Sequence, residues 1–348
     1  MDFRTLPDGP LTLADVTVPA HLLGQPGDLI RTDLHIADGL LSGTPGERVK
    51  MAGAMVLPAF VDMHTHLDKG HIWPRAPNPD GSFMGALTTV RADHANWSAG
   101  DVRARMEFGL RCAHAHGTRA IRTHLDSTPP QPDISWPVFA ELRAAWAGRV
   151  EMQAVCLIGC EGFSEDGDFA RTADMVELCG GVLGMVTYPL PDLKDRLLGF
   201  FRMAEARGLS ADFHVDETMD PESETLRMIA KTAIETGFTA AVTVGHCCSL
   251  STQEETRALD TLDLVAKAGI AVVSLPMCNL YLQDRGPGTP RSRGVTLVHE
   301  MRDRDIPVSF ASDNTRDPFY AYGDLDMLEV LRQATRIAHL DHSRADWI

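Results

Sequence analysis

The sequence predicts an α/β protein: a (β/α)8 TIM barrel with a small N-terminal β-rich appendage. Three observations point there. Eight short apolar runs follow one another from residue 54, and segments with apolar residues at three- and four-residue spacing lie between them. Strand–helix alternation implies parallel pairing, and eight such units are the count for a closed barrel. Imidazoles and carboxylates recur at the C-terminal ends of the runs, the face where such barrels hold their chemistry. The alternative, an open doubly wound sheet, would carry a Gly-rich fingerprint after its first strand, and none is present.

Residues 1–55 read as the appendage. LTLADVTVP (11–19) alternates in part, and DLHIADGLLSG (33–43) sets Asp38-Gly39 between two apolar runs. That pair tolerates positive φ and signals a hairpin. The barrel is expected over residues 56–348. Its strands are read in AMVLPAFVDM (54–63), TRAIRTHL (118–125), VEMQAVCLI (150–158) and GVLGMVTYPL (181–190). They continue in LSADFHV (209–215), TAAVTVGH (239–246), GIAVVSL (269–275) and IPVSFAS (306–312). Helices are expected in DVRARMEFGLRCAHAH (101–116), WPVFAELRAAWAG (136–148), RLLGFFRMAEARG (196–208) and TLDLVAKAG (261–269). Several end in Gly, which suits a helix stop.

The chain has 348 residues with 44% apolar content, enough for one large domain and a small one. Its formal net charge is −16, which repels phosphate backbones and anionic membranes, so no nucleic-acid partner is expected. No apolar run approaches the roughly 20 residues that span a bilayer, so no membrane partner is expected either. The N-terminus, MDFRTLPDGP, lacks a basic segment followed by an apolar core. The seven cysteines are odd in number and lack C-x-x-C spacing, which suggests reduced thiols and a cytoplasmic setting.

His64 and His66 end the first strand, and residues two apart on a strand point to one side. His214 ends strand 5 with Glu217 three residues on, His246 ends strand 6, and Asp313 ends strand 8. Taken singly, each has a plain reading: a satisfied polar residue, a helix-start carboxylate or an N-cap. Scattered structural residues would not all choose strand ends of one polarity. Three imidazoles and a carboxylate suit one borderline divalent ion, zinc or iron(II), with an open position for water. Glu217 and His246 are then proton carriers beside the nucleophile. Dinuclear sites on such barrels use a carboxylated lysine on strand 4, and GVLGMVTYPL has no lysine, so one metal is expected. Lys69 reads as a loop charge or an ion-pair partner.

The ordered motifs LPAFVDMHTHLDK, RTHLD, DFHVDE, VGHC, NLYLQDR, SRGVTLVHEM and ASDNTRDPFYAYGDLDML resemble the amidohydrolase superfamily, and within it the cytosine deaminase family. The resemblance runs from about residue 30 to the end. It implies a mononuclear metal bound by His64, His66, His214 and Asp313. It implies that Glu217 shuttles a proton to a ring nitrogen, that Asp313 passes a second proton to the leaving amine, and that His246 steadies the attacking water. The expected function is deamination of a small N-heterocycle, cytosine-like or a related aminopyrimidine, with release of ammonia. The alternative is hydrolysis of a cyclic amide or amidine, or removal of a substituted amine, as from a creatinine- or triazine-type substrate.

Three departures fall near the expected pocket. Cys160 in LIGCEG stands near the family's amide-reading glutamine, Asn314 replaces a frequent aspartate, and Phe319 stands where tryptophan is common. These three are the candidate substrate-binding residues, and they turn the expectation away from cytosine itself and toward isocytosine, 5-methylcytosine, creatinine, an aminotriazine or a pterin. Family members continue with strands that complete the appendage. With the sequence stopping at Ile348, those strands are expected to be missing, the appendage to expose an edge, and the protein to be a homo-oligomer.

Several further residues are noted. His124 and Asp126 end strand 2 and point to the same rim. Trp73, Asp80 and Phe83 lie in a Pro-rich loop able to cover the pocket. Cys247 and Cys248 read as packing residues. Arg285, Arg291 and Arg293 read as surface charge or an anion contact.

Overall fold

The computed structural model describes residues 6–342 and Trp347; Ile348, the end of the expected barrel domain, lies outside them. The chain forms two compact units, Met1–Ala59 and Phe60–Ile348.

The first unit is one sheet of β1 (Leu11–Pro19), β2 (Leu29–Ala37), β3 (Leu40–Leu41) and β4 (Glu47–Lys50), in the order β3-β2-β1-β4. β1 pairs antiparallel with β2 and parallel with β4. Asp38 (φ 53°) and Gly39 (φ 74°) turn β2 into β3, with Ala37 opposite Leu40. Two successive positive φ values make the twist-matched hairpin turn that this dipeptide favours. Leu11, Leu13, Val16, Val18 and Leu34 form its own small core. Val56 donates its N–H to Thr17, so the first half of AMVLPAFVDM belongs to this sheet. Barrel strand 1 starts later than the apolar run suggests, at Phe60, beyond Pro58, which has no N–H to give a ladder.

The second unit holds the eight expected strands: β5 (Phe60–Thr65), β6 (Thr118–Asp126), β7 (Glu151–Leu157), β8 (Leu183–Thr187), β9 (Ala211–Val215), β10 (Val242–His246), β11 (Ala271–Ser274) and β12 (Val308–Phe310). Every pairing is parallel. They form runs of three (β5-β6-β7) and five (β12-β11-β10-β9-β8). Bridges Thr65–Asp313, Val155–Val182 and Gly159–Val186 join the two runs and close a TIM barrel.

Among the described residues, ten α-helices follow the strands. They are α1 (Phe83–Asp93), α2 (Ala99–Ala115), α3 (Pro132–Trp146), α4 (Asp168–Leu178), α5 (Leu193–Ala206), α6 (Thr225–Thr236), α7 (Glu255–Lys267), α8 (Pro276–Leu282), α9 (Val298–Arg302) and α10 (Met327–Ile337). Their starts are chemically marked. Ser82 accepts from Gly85 N–H, Ser98 from Asp101 N–H, and Glu254 from Thr256 and Arg257 N–H. Their apolar faces pack on the strands around Trp136, Phe139, Phe169, Phe200, Phe201 and Phe213, all essentially fully buried. No helix among the described residues is long and apolar enough to cross a membrane.

One carboxylate sets the loop that leaves β9. Asp216 is buried at φ 47°. Its Oδ1 accepts from Ser223 Oγ (2.7 Å), Thr225 N (2.9 Å) and Thr225 Oγ1 (2.7 Å), and its Oδ2 from Leu226 N (3.0 Å). It therefore fixes both the entry to α6 and the turn that carries Glu217. Asp216→Ala strands several buried donors and should destabilise the protein by at least about 2 kcal/mol. The midpoint of urea unfolding measures this, and an unmoved midpoint would show the carboxylate to be dispensable.

Candidate metal centre and catalytic pocket

The barrel's parallel register brings the strand-end residues together. His214 on β9 pairs with Gly245, and Val215 with His246 on β10. Asp313 lies just beyond β12 and bridges to Thr65, and its N–H donates to His64 O at 2.8 Å. Asp62 clamps the residue before it, accepting from Ser312 N (3.1 Å) and Ser312 Oγ (2.5 Å). Asp313 and His246 hold φ values of 65° and 70°. Side-chain-bearing residues adopt that region at a cost, and the clamps around them sustain it.

Four donor groups converge in the core of the rim. His64 Nε2 is 3.0 Å from His214 Nε2, and His66 Nε2 is 3.3 Å from the same atom. Asp313 Oδ1 lies 3.1 Å from His66 Nε2 and 3.6 Å from His64 Nε2. All four residues are buried. Burial, followed by neighbouring positive or imidazole groups, pushes His64, His66 and His214 well below the usual imidazole range, so they are neutral. Burial pushes Asp313 up to about 7.

Glu217 and His246 stand beside this cluster. Glu217 Oε1 is 3.4 Å from His246 Nδ1. Burial and then Asp313 raise its carboxyl well above the ordinary range. Asn279 Nδ2 donates to His246 Nδ1 at 3.1 Å, which leaves the other ring nitrogen, Nε2, with the proton and without a partner. Burial and His124 hold His246 down at about 3.

The comparisons with known proteins agree with this geometry. A model of the amidohydrolase family matches residues 171–348. A pterin deaminase of Rhizobium rhizogenes (strain K84 / ATCC BAA-868) is 56% identical over 345 residues, covering 95% of this chain and 79% of the relative. The chain belongs to the amidohydrolase family. Among solved structures, the fold is similar to 5-methylcytosine deaminase from Klebsiella pneumoniae liganded with 5-fluorocytosine. That match has a TM-score of 0.79 and 22% identity, and covers 95% of this chain and 81% of that one. It is also similar to N-isopropylammelide isopropylaminohydrolase from Burkholderia multivorans, with a TM-score of 0.72, 25% identity, and coverage of 94% and 80%.

The residues of this amidohydrolase fit a divalent ion. Neither oxygen of the buried Asp313 accepts a hydrogen bond. The Nε2 atoms of three neutral imidazoles crowd the same spot, within 3.0–3.3 Å of His214 Nε2. Buried acceptors in this state require a cation between them. Separations of 3.0–3.6 Å are the chords expected of ligand atoms each about 2.0–2.2 Å from one shared zinc-like ion.

His124 supports the cluster from below. Its ring lies 4.0 Å from that of His64, and its Nε2 is 3.2 Å from Asp212 Oδ1. Asp212 Oδ2 accepts from Arg122 at 2.8 Å.

The three candidate substrate residues separate. Phe319 stands in the pocket wall, its ring 5.5 Å from Phe83 and 5.2 Å below the Lys69 ammonium. Asn314 is committed to the loop: its Nδ2 donates to Asp317 Oδ2 at 2.8 Å, and its Oδ1 accepts from the Cys278 thiol. Cys160 is fully buried and its thiol donates to Tyr188 O, with no recorded contact to the cluster. The Pro-rich loop after β5 is stitched over the 314–319 segment. His71 N–H donates to Thr315 O, Trp73 N–H to Arg316 O, and Asn78 Nδ2 to Pro318 O.

Sequence reasoning missed four residues here. Lys69 is an ion-pair partner as read, 2.9 Å from Asp126 Oδ1, but it is buried against the pocket rather than in an open loop. Burial opposes its charge, and Asp126 and Asp68 outweigh that and keep it protonated. Asp62, Cys278 and Asn279 also hold the catalytic groups. The signals available were the adjacency of Lys69 and Asp62 to the H-x-H pair and the place of Asn279 at the head of the NLYLQDR motif.

The cluster leaves no room on β10. A Cβ on Gly245 would stand 2.8 Å from His64 Cε1 and 3.0 Å from its Nδ1. Gly245→Ala should tilt His64 and weaken metal binding by about 10–100-fold, the size seen when ligand support is lost. Competition with a chelator reads this directly, and unchanged affinity would show that the imidazole shifts without penalty.

Proposed function

We propose that this amidohydrolase is a metal-dependent aminohydrolase that deaminates a pterin-class aminoheterocycle. Water adds to the amino-bearing ring carbon, the carbon–nitrogen bond breaks, and a ring carbonyl and ammonia result. The chemistry rests on Glu217, 3.4 Å from His246, beside the buried His64–His66–His214–Asp313 cluster. The ring class rests on 56% identity to a pterin deaminase. Cytosine and the smaller aminopyrimidines become secondary candidates.

When bound, the divalent ion acts as a Lewis acid that lowers the pKa of water toward neutrality. His64, His66, His214 and Asp313 would hold it. Glu217 gives its proton to the ring nitrogen next to the amino-bearing carbon, which makes that carbon electrophilic. Asp313 accepts one proton from the attacking water and delivers it to the leaving amine, and the hydroxyl proton of the adduct returns to Glu217 as the carbonyl forms, which restores the acid. His246 donates from Nε2 to the oxygen that becomes the carbonyl, held in that tautomer by Asn279. A flat bicyclic ring lies against Phe319, and Lys69 donates to an acceptor on its edge. Burial of His64, His66, His214, His246 and Asp313, with Glu217 only partly exposed, keeps bulk water from competing for these bonds.

Ammonia release should be measured for pterin, cytosine, isocytosine, creatinine and an N-alkylated aminotriazine. Pterin should give the highest kcat/KM, and failure to deaminate pterin would remove the ring assignment. Release of an alkylamine in place of ammonia would favour the substituted-amine reading. Glu217→Gln should keep full metal content and lose at least about 100-fold in kcat. Near-normal turnover in that variant would refute the proton-shuttle role.

A further inference from the structure

The connection between β11 and β12 carries Arg285, Arg291 and Arg293 within nine residues, on a chain of net charge −16. Asp284, beside them, accepts the main-chain N–H of Arg291 (2.5 Å) and Ser292 (2.9 Å), so its carboxylate orders the loop. Among the described residues, no carboxylate lies within 4.0 Å of any of the three guanidinium groups. Arg285 is held 4.4 Å over the Tyr281 ring, and Arg293 Nη2 donates to Leu280 O at 3.1 Å. Both line one cavity of about 150 Å³ together with Tyr281 and Gln283.

That cavity adjoins the catalytic groups. Gln283 Nε2 reaches back to Glu217 O at 3.4 Å. Tyr281 packs edge-on against Tyr320 at 5.5 Å, in the segment that follows Asp313. On the other side, the loop after β5 closes in at Gly81. There φ is 74°, and a Cβ would sit 3.3 Å from the Arg285 guanidinium carbon. All three segments leave the C-terminal ends of barrel strands, so the two guanidinium groups sit on the pocket rim.

We propose that Arg285 and Arg293 form an anion subsite for a carboxylate substituent on the substrate, at the end of the heterocycle remote from the amino-bearing carbon. The inference rests on the deaminase reading above. With the amino-bearing carbon at the cluster and Glu217, the far ring of a bicyclic heterocycle projects toward the rim. A strongly acidic protein repels anionic ligands in general. An unpaired pair of guanidinium groups reverses that locally, and their planar forks match a carboxylate. Stacking on Tyr281 and the bond to Leu280 O fix both groups before a ligand arrives.

The test compares pterin-6-carboxylate with the neutral 6-hydroxymethylpterin on the metal-loaded full chain and on Arg285→Gln/Arg293→Gln. The wild-type protein should show a KM for the acid at least about fivefold below that for the alcohol, and the double variant should raise the acid's KM about tenfold. The alcohol's KM should move less than about twofold, as expected of a group that meets only the charge. Added salt should raise the acid's KM in the wild-type protein alone. Equal KM values in the wild-type protein, or equal shifts for both substrates, would overturn the subsite. If neither pterin is deaminated, the functional reading fails and the subsite is judged by direct titration of pterin-6-carboxylate fluorescence. Weaker binding to the double variant supports it, and equal or absent binding overturns it.

Discussion

Everything at the rim depends on one stitch across the barrel seam. Asp62 on β5 holds Ser312, and His64 O holds the N–H of Asp313, so β12 meets β5 with the Asp313 carboxylate forced inward. The same stitch sustains the left-handed backbone of Asp313. In this buried setting its two oxygens have no hydrogen-bond partner and face three closely set imidazole nitrogens. Such an arrangement is unfavourable unless a cation completes it. Barrel closure and the candidate metal site are therefore one feature of the structure, because the seam that closes the sheet also brings in the carboxylate proposed as the fourth ligand.

The electrostatics around that centre divide the labour. Burial opposes charge everywhere, and the outcome at each residue depends on whether a partner offsets it. Lys69 has Asp126 and Asp68 and stays an ammonium. At Glu217, burial and Asp313 outweigh Lys69, and its carboxyl is raised well above the ordinary range. His246 is neutral, with its tautomer chosen by Asn279. A donor, an acid and a cation thus surround one small volume, each in the state its environment dictates. The loop after β5 is tied by two main-chain bonds and the Asn78 side chain to the segment that precedes Phe319.

Much of this was legible in the chain itself. All eight barrel strands overlap the apolar runs and six lie wholly within them, because a strand buried on both faces must be apolar along most of its length. The Asp38-Gly39 hairpin was legible because two residues decide a turn. The start of strand 1 was not. AMVLPAFVDM is continuous in hydropathy, and only the pairing of Val56 with Thr17 assigns its first half to the small sheet. Among the site residues, His64, His66, His214, His246, Glu217 and Asp313 announced themselves by position at strand ends. Lys69 did not, since a lysine after a strand is most often solvated, and its burial arises from Phe319 and Asp126, 250 and 57 residues further along the chain. Asn314 and Cys160 show the opposite: each sits beside a site motif in sequence, yet Asn314 faces Asp317 and Cys160 faces the Tyr188 carbonyl.

The sequence by itself determined the barrel, the strand-end ligands and hence the family, because periodicity and strand-end position are local properties that one chain displays without its neighbours. The tertiary structure alone decided which polar side chains are orphaned, which are paired and which are turned away. Those outcomes depend on what comes across the barrel from residues 50 to 250 positions distant. Protonation states follow from that surrounding matter, and so does the basic rim at Arg285 and Arg293. In the sequence those two are indistinguishable from ordinary surface charge, and in space they stand at the mouth of the pocket, beside the carbonyl of Glu217 and the closing loop.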